Sequence, residues 1–318
     1  MHLVETMAYA GQRPWHGLGN KLAPGQSIEQ WKKSAGMEWA IEESEVRYIT
    51  GRNGVGTLSA YPEQKVLYRS DTQAPLAVVS KRFKVVQPGE ILDFYRDLTE
   101  MGGFELETAG VLREGRKVWA LARTGQSVQL KGKDQVDGYL LLATACDGTL
   151  ATTAQFTSVR VVCNNTLQIA VGDRQGAIKV PHRTHFDPEA VKQQLGITVA
   201  AWDGFVARMK ALVATPVDPD SVDGLLRRVL TYPAQLGQAR MINEQAVRSA
   251  RALYDGAGKG ANMASSRGTA WGVLNSVTEY IDHHRRARSD DYRRDAAWFG
   301  QGAQLKQRAW DALTGITA

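Results

Sequence analysis

The chain has 318 residues, 39 Lys and Arg against 33 Asp and Glu, a net charge of +6, and 43% hydrophobic against 23% charged residues. A chain of this size and composition buries about three quarters of its unfolded surface, which excludes wholesale disorder and any need for disulfide or metal staples. Two cysteines exclude a secreted disulfide framework and a four-thiolate zinc site, and the absence of an apolar run near ~18 residues excludes a membrane span.

The chain opens without a basic-then-apolar leader at Met1-His2-Leu3-Val4-Glu5, so a cytoplasmic protein with no membrane partner is expected. A polar, Gly-rich entry runs to Gly19, and Ser27 is a credible N-cap for a short helix carrying Ile28, Trp31 and Lys32. From Glu38 the apolar period becomes two. Trp39, Ile41, Val46 and Tyr48 suggest a strand pair, and residues 66–68 and 76–79 two further strands. Pro88 opens a helix with the stripe Ile91, Leu92, Phe94, Tyr95 and Leu98, ended by Gly102-Gly103. A β-meander follows over 104–112, 117–122, 128–130, 139–145 and 149–162, with turns at Glu114-Gly115, Thr124-Gly125, Lys131-Gly132 and Asp147-Gly148.

After Pro181 the pattern turns helical. Asp187-Pro188-Glu189 reads as an N-cap, a proline at the first helical position and an acidic first turn, launching a helix to about 213. Helices are then expected near 221–231, 243–255, 269–288 and 302–314, with a Gly/Ser-rich loop over 256–268. The expected fold is α+β: an N-terminal antiparallel β-meander sheet packed by a long helix over residues 1–181, and a helical region over 182–318 packed on it.

No catalytic signature emerges. His182 and His185, with Asp187 nearby, are the ligands a metal-dependent hydrolase would recruit, but they sit in an expected loop and lack the helical spacing of a zinc motif. His283 and His284 point about 100° apart on a helix and cannot easily share an ion, and His16 in its Trp-His-Gly turn is read as structural. The loop Asp255-Gly256-Ala257-Gly258-Lys259-Gly260 lacks phosphate-loop spacing and follows a helix. Cys146 and Cys163 are read as buried thiols. The expectation is neither metal nor cofactor.

Cations offer the other chemistry. Arg82, Lys84, Arg113, Arg116, Lys117 and Lys131 flank the meander's turns, with Phe83, Trp119 and Tyr139 interleaved as rings on which bases could stack. Arg285, Arg286, Arg288, Arg293 and Arg294 form a second patch beyond the 269–288 helix, interrupted by Asp290, Asp291 and Asp295. Gathered into one track, these side chains would contact the phosphates of nucleic acid, single-stranded DNA being favoured.

Three segments occur in order along nearly the whole chain: Pro14-Trp15-His16-Gly17-Leu18-Gly19, Val162-Cys163-Asn164-Asn165-Thr166-Leu167, and residues 268–283, which read Gly-Thr-Ala-Trp-Gly-Val-Leu-Asn-Ser-Val-Thr-Glu-Tyr-Ile-Asp-His. Together they resemble the phage/plasmid-like protein family catalogued as domain of unknown function 932, with Ser276 where Ala is commoner. The resemblance implies genes of bacteriophages, plasmids and integrated elements in a bacterial host cell, and it transfers no catalytic residue. The order of elements, a meander against one helix, is also similar in outline to single-strand annealing proteins, which form rings along single-stranded DNA. The expected function is therefore non-enzymatic nucleic-acid binding in annealing or recombination, with homo-oligomers expected. The alternative is a mobile-element interaction or anti-defence factor with a host or phage protein as partner, and the third is the hydrolase.

Overall fold

The computed structural model describes residues 4–11, 18–52, 55–100, 102–160, 162, 165–168, 177–195, 198–231 and 242–315. Among them the strands are β1 (Val4–Ala10), β2 (Asn20–Leu22), β3 (Ile41–Arg52), β4 (Val55–Arg69), β5 (Pro75–Ser80), β6 (Glu105–Leu112), β7 (Lys117–Gln129), β8 (Gln135–Ala145), β9 (Thr152–Arg160), β10 (Asn165–Gln168) and β11 (Ala177–Val180). The helices are α1 (Ile28–Ser34), α2 (Pro88–Asp93), α3 (Arg96–Glu100), α4 (Pro188–Leu195), α5 (Thr198–Ala214), α6 (Val222–Leu230), α7 (Glu244–Ala252), α8 (Ala270–Glu279), α9 (Asp290–Phe299) and α10 (Gln301–Thr314).

The protein is a mixed α/β fold with its sheets in the first part of the chain and helices in the last. The meander makes the larger sheet, ordered β10-β9-β8-β7-β6-β1-β2, with β11 sharing the outer edge of β9 with β10. Strand β8 is buried on both faces beyond its first residue, as its unbroken apolar run Tyr139-Leu140-Leu141-Leu142-Ala143 requires. One face carries Val118, Ala120, Ala122, Leu140, Leu142, Ala154 and Phe156 into a core that runs continuously from Ala8 to Leu313, so the late helices bury their stripes on this sheet. The Tyr95 hydroxyl closes that layer, 3.0 Å from the carbonyls of both Ala120 and Leu140. The other face carries Met7, Trp119, Leu121, Tyr139, Leu141 and Ala143, packed by Trp298 and Phe299 of α9. Gly110 is required there, because a Cβ would stand 2.5 Å from the Trp119 ring.

A second, three-stranded sheet is ordered β3-β4-β5. Strand β5 pairs only with Gln64–Tyr68 of β4, so β3 and β4 continue from Val46 and Tyr61 outward as a two-stranded arm.

Several expectations are corrected. The polar entry contains β1, which lies inside the large sheet between β2 and β6; its alternation is hidden because Met7, Ala8, Tyr9 and Ala10 are all buried. The long front helix is two short ones, α2 and α3, so among the described residues no long helix packs the meander from within the first part of the chain. Thr124-Gly125 is an irregularity inside a continuous β7 instead of a turn. The 269–288 helix ends its α-helical part at Glu279, passes through a π-type turn Tyr280–His284, and is followed by α9, an element the charged run concealed. The helix from Pro188 is described as α4 and α5, with residues 196–197 between them outside the described residues.

Candidate nucleic-acid interface

The turn joining β6 to β7 is wound tightly, with Arg113, Glu114 and Gly115 in succession at φ of 54°, 59° and 95°. It meets α9, whose first turn is capped by Ser289 Oγ accepting from the Tyr292 N–H at 3.4 Å. Asp295 is the hinge of the contact: Arg113 donates to its Oδ2 at 3.0 Å and Lys117 to its Oδ1. The guanidinium groups of Arg113 and Arg288 both stand within cation–π reach of the Tyr292 ring, at 5.3 and 5.9 Å. The meander turn and the C-terminal arginine run, 175 residues apart (288 − 113), thus converge on one ring.

Two other segments end here. The Cys146 N–H donates to the Arg116 carbonyl at 2.9 Å, placing the turn after β8 beside the turn before β7. From that turn the Leu150 carbonyl lies 3.0 Å from His182 Nε2, while His182 Nδ1 lies 3.2 Å from the Lys84 carbonyl, with Phe83 stacked on the imidazole at 4.2 Å. Arg82 and Lys84 therefore share this end of the large sheet with Arg113, Arg116 and Lys117. Lys131 does not. It lies in the turn after β7, a strand thirteen residues long, so it is about 40 Å away at ~3.3 Å per residue.

The cations differ in availability. Lys117 is buried against Asp295 and the Phe299 ring and cannot reach a ligand. Arg293 donates to Asp290 at 2.6 Å and to the Arg285 carbonyl at 2.7 Å, and Arg285 donates to Gln301 at 3.0 Å. Arg294 is partly buried on α9. Arg82, Lys84, Arg116, Arg286 and Arg288 are exposed and have no carboxylate partner among the described residues. Of the expected stacking rings, Trp119 and Tyr139 are corrected: both are buried in the sheet's second core. Phe83 and Tyr292 are partly exposed.

The conspicuous sequence segments do different work. Asp134, at the foot of β8, is fully buried and receives Arg160 Nε and Nη2 at 2.7 and 2.8 Å, Ser265 Oγ at 2.6 Å and Trp271 Nε1 at 3.0 Å. Arg160 also donates to Ser266 Oγ at 2.8 Å. A Cβ at Gly272 would stand 2.0 Å from the Ser266 carbonyl, so this loop lies directly on α8. Beside it, Asp282 Oδ2 accepts from the Thr166 N–H and Oγ1 at 2.8 and 3.1 Å, and Lys306 Nζ donates to Thr166 Oγ1 at 2.6 Å and to Asp282 Oδ1 at 2.8 Å. A threonine–lysine nucleophile would need the hydroxyl to donate its proton to the amine; here the Thr166 hydroxyl donates to Asp282 and accepts from Lys306. Thr166 and Asp282 come from the middle and last conspicuous segments, so those two segments are adjacent in space. Of the first, residues 14–19, positions 14–17 with His16 among them lie outside the described residues, as does Cys163.

Other chemistry is weak. Both His182 nitrogens face carbonyl oxygens, His185 is exposed, and no group of three or more His, Cys, Asp or Glu fit for a metal occurs among the described residues. Burial pushes the Cys146 thiol up to about 12. In the glycine loop, the Lys259 N–H donates to both Glu279 oxygens at 3.0 Å, so a carboxylate already takes the donor a phosphate would use. No described helix is long and apolar enough to cross a membrane.

Sequence reasoning missed Asp134, Tyr292 and Lys306. Nothing in the local pattern separates them from solvated residues of the same type; only the strand ends and the unforeseen α9 give them partners. The model of the family described as Domain of unknown function (DUF932) matches residues 75–298, well over half of the chain. No curated protein and no solved structure matches it.

Proposed function

We propose that this chain, which belongs to the family described as Domain of unknown function (DUF932), binds single-stranded nucleic acid at the end of its large sheet where the meander turns meet α9. The observation that carries the reading is the convergence of Arg113 and Arg288 on the Tyr292 ring, with the exposed Arg116 and Arg286 three and two residues from them along the chain. Guanidinium groups match phosphate oxygens in a two-point geometry, and a partly exposed aromatic ring among them offers a surface for a base. Arg82 and Lys84 extend the cationic surface along the same sheet end; Lys131 belongs to no part of it. No covalent chemistry is invoked, and annealing or recombination in a phage or plasmid setting is the process this binding would serve.

Fluorescence anisotropy with a labelled oligothymidine tests it. Affinity should fall linearly in log–log form with salt, with a slope near −0.7 per phosphate neutralised. The combined R116A, R286A and R288A variant should lose most binding and keep its fold, since all three side chains are exposed. A second reading, a protein-interaction factor, draws on a separate observation, the exposed apolar arm of β3 and β4.

A further inference from the structure

The arm formed by β3 and β4 departs from what a free monomer surface favours. Tyr48, Ile49, Leu58 and Tyr61 are 49%, 55%, 56% and 44% exposed, and they sit on a ribbon that β5 does not support beyond Gln64. A two-stranded ribbon alone is marginal in water, and a long edge strand is a template for further pairing. Strand β3 is the edge of its sheet for all its twelve residues.

The orientation of that edge follows from one side chain. Gln87 Oε1 accepts from the Ile41 N–H at 2.7 Å, and Gln87 Nε2 donates to the Ile41 carbonyl at 3.1 Å. The backbone groups of Ile41 therefore point outward, away from β4, and by the alternation of an antiparallel strand so do those of Glu43 and Glu45. The ladder is irregular between Glu45 and Val46, but the residues skipped, 62–64, belong to β4, so β3 runs on unbroken and Arg47 and Ile49 follow the same alternation. Gln87 covers the edge at Ile41 only. Beyond it the edge is open among the described residues.

Charge then selects the occupant and the register. Glu45 and Arg47 flank Val46, share one face, and are exposed, already bridging each other at 3.0 Å within the strand. We propose that two copies of this chain pair antiparallel through the outer edge of β3, about a twofold axis at Val46, over residues 42–50. In that register Glu45 of one copy stands opposite Arg47 of the other, twice, and both are residues whose backbone groups face the partner. Sliding by two residues places Glu45 opposite Glu45 or Arg47 opposite Arg47, and like charges directly opposed are destabilising. The two three-stranded sheets become one of six strands, and the interface is isologous, as a closed dimer requires. The proposal is independent of nucleic-acid binding.

Light scattering on the full-length chain across a concentration series reads the association. The wild type should be a dimer. E45R and R47E should each raise the dissociation constant tenfold or more, and the double variant E45R/R47E should restore it, because the swap preserves the opposition. Directly opposed residues that are not hydrogen-bonded to each other stand ~4.5 Å apart between Cα atoms, within disulfide reach, so Val46→Cys should give an oxidised dimer on a non-reducing gel where wild type gives none. A monomer at every concentration overturns the proposal. So does a dimer indifferent to both reversals, or one in which Val46→Cys fails to cross-link.

Discussion

Arg160, the last residue of β9, clasps Asp134, just before β8, through two parallel hydrogen bonds of 2.7 and 2.8 Å, with both side chains out of water. Asp134 Oδ2 also accepts from Ser265 and Trp271 of the helical region. The pair therefore ties the sheet to α8, and removing one member strands the other charge. Arg160→Ala or Asp134→Ala should cost about 3–5 kcal/mol, the range for breaking a buried ion pair, read by chemical denaturation. The double variant should cost less than the sum of the singles. A single-variant loss below about 1 kcal/mol would assign the pair no such role.

Asp295 holds Arg113 and the buried Lys117 together. Asp295→Asn should lower stability by roughly 2–3 kcal/mol, less than a fully buried pair would lose because Asp295 keeps partial exposure. The same variant removes a negative charge from beside Arg113 and should tighten oligothymidine binding several-fold at low salt, with a steeper salt slope. Stability and affinity moving in opposite directions separates a charge effect from unfolding. Weaker binding by the folded variant would count against the interface.

Burial holds the Cys146 thiol up at about 12. A thiol raised in the folded state contributes stability in full below its free value near ~8.5, and loses it as pH climbs from there through about 12. At about pH 8, Cys146 should resist iodoacetamide in the native protein and react in concentrated guanidinium, as peptide mapping would show. Rapid native labelling would contradict the packing around it.

The sequence made the meander legible because its strands alternate or run apolar between glycine turns, and it located the caps: Ser27 Oγ accepts from Gln30 N–H at 3.2 Å and Asp187 Oδ1 from Glu189 N–H at 3.0 Å. It hid β1, whose last four residues are buried on both faces, and α9, whose Asp290, Asp291, Arg293 and Arg294 read as a solvated run until Ser289 is seen to cap them. The site divides likewise. Clusters of Arg and Lys are visible in a sequence, but which of them a carboxylate has already taken is decided by long-range partners such as Asp295 for Lys117, 178 residues away. The strongest local signal, the 268–283 segment, marks a buried polar junction, since Asn275, Ser276, Thr278 and Glu279 are all out of solvent.

The most direct measurement of the central claim is anisotropy of labelled single-stranded DNA against wild type and the R116A/R286A/R288A variant from low to moderate salt. The proposed interface requires wild-type binding at micromolar protein in low salt, a linear loss with log salt, and at least a tenfold weakening in the variant at unchanged thermal stability. No binding by wild type at low salt, to single and double strands alike, would contradict it.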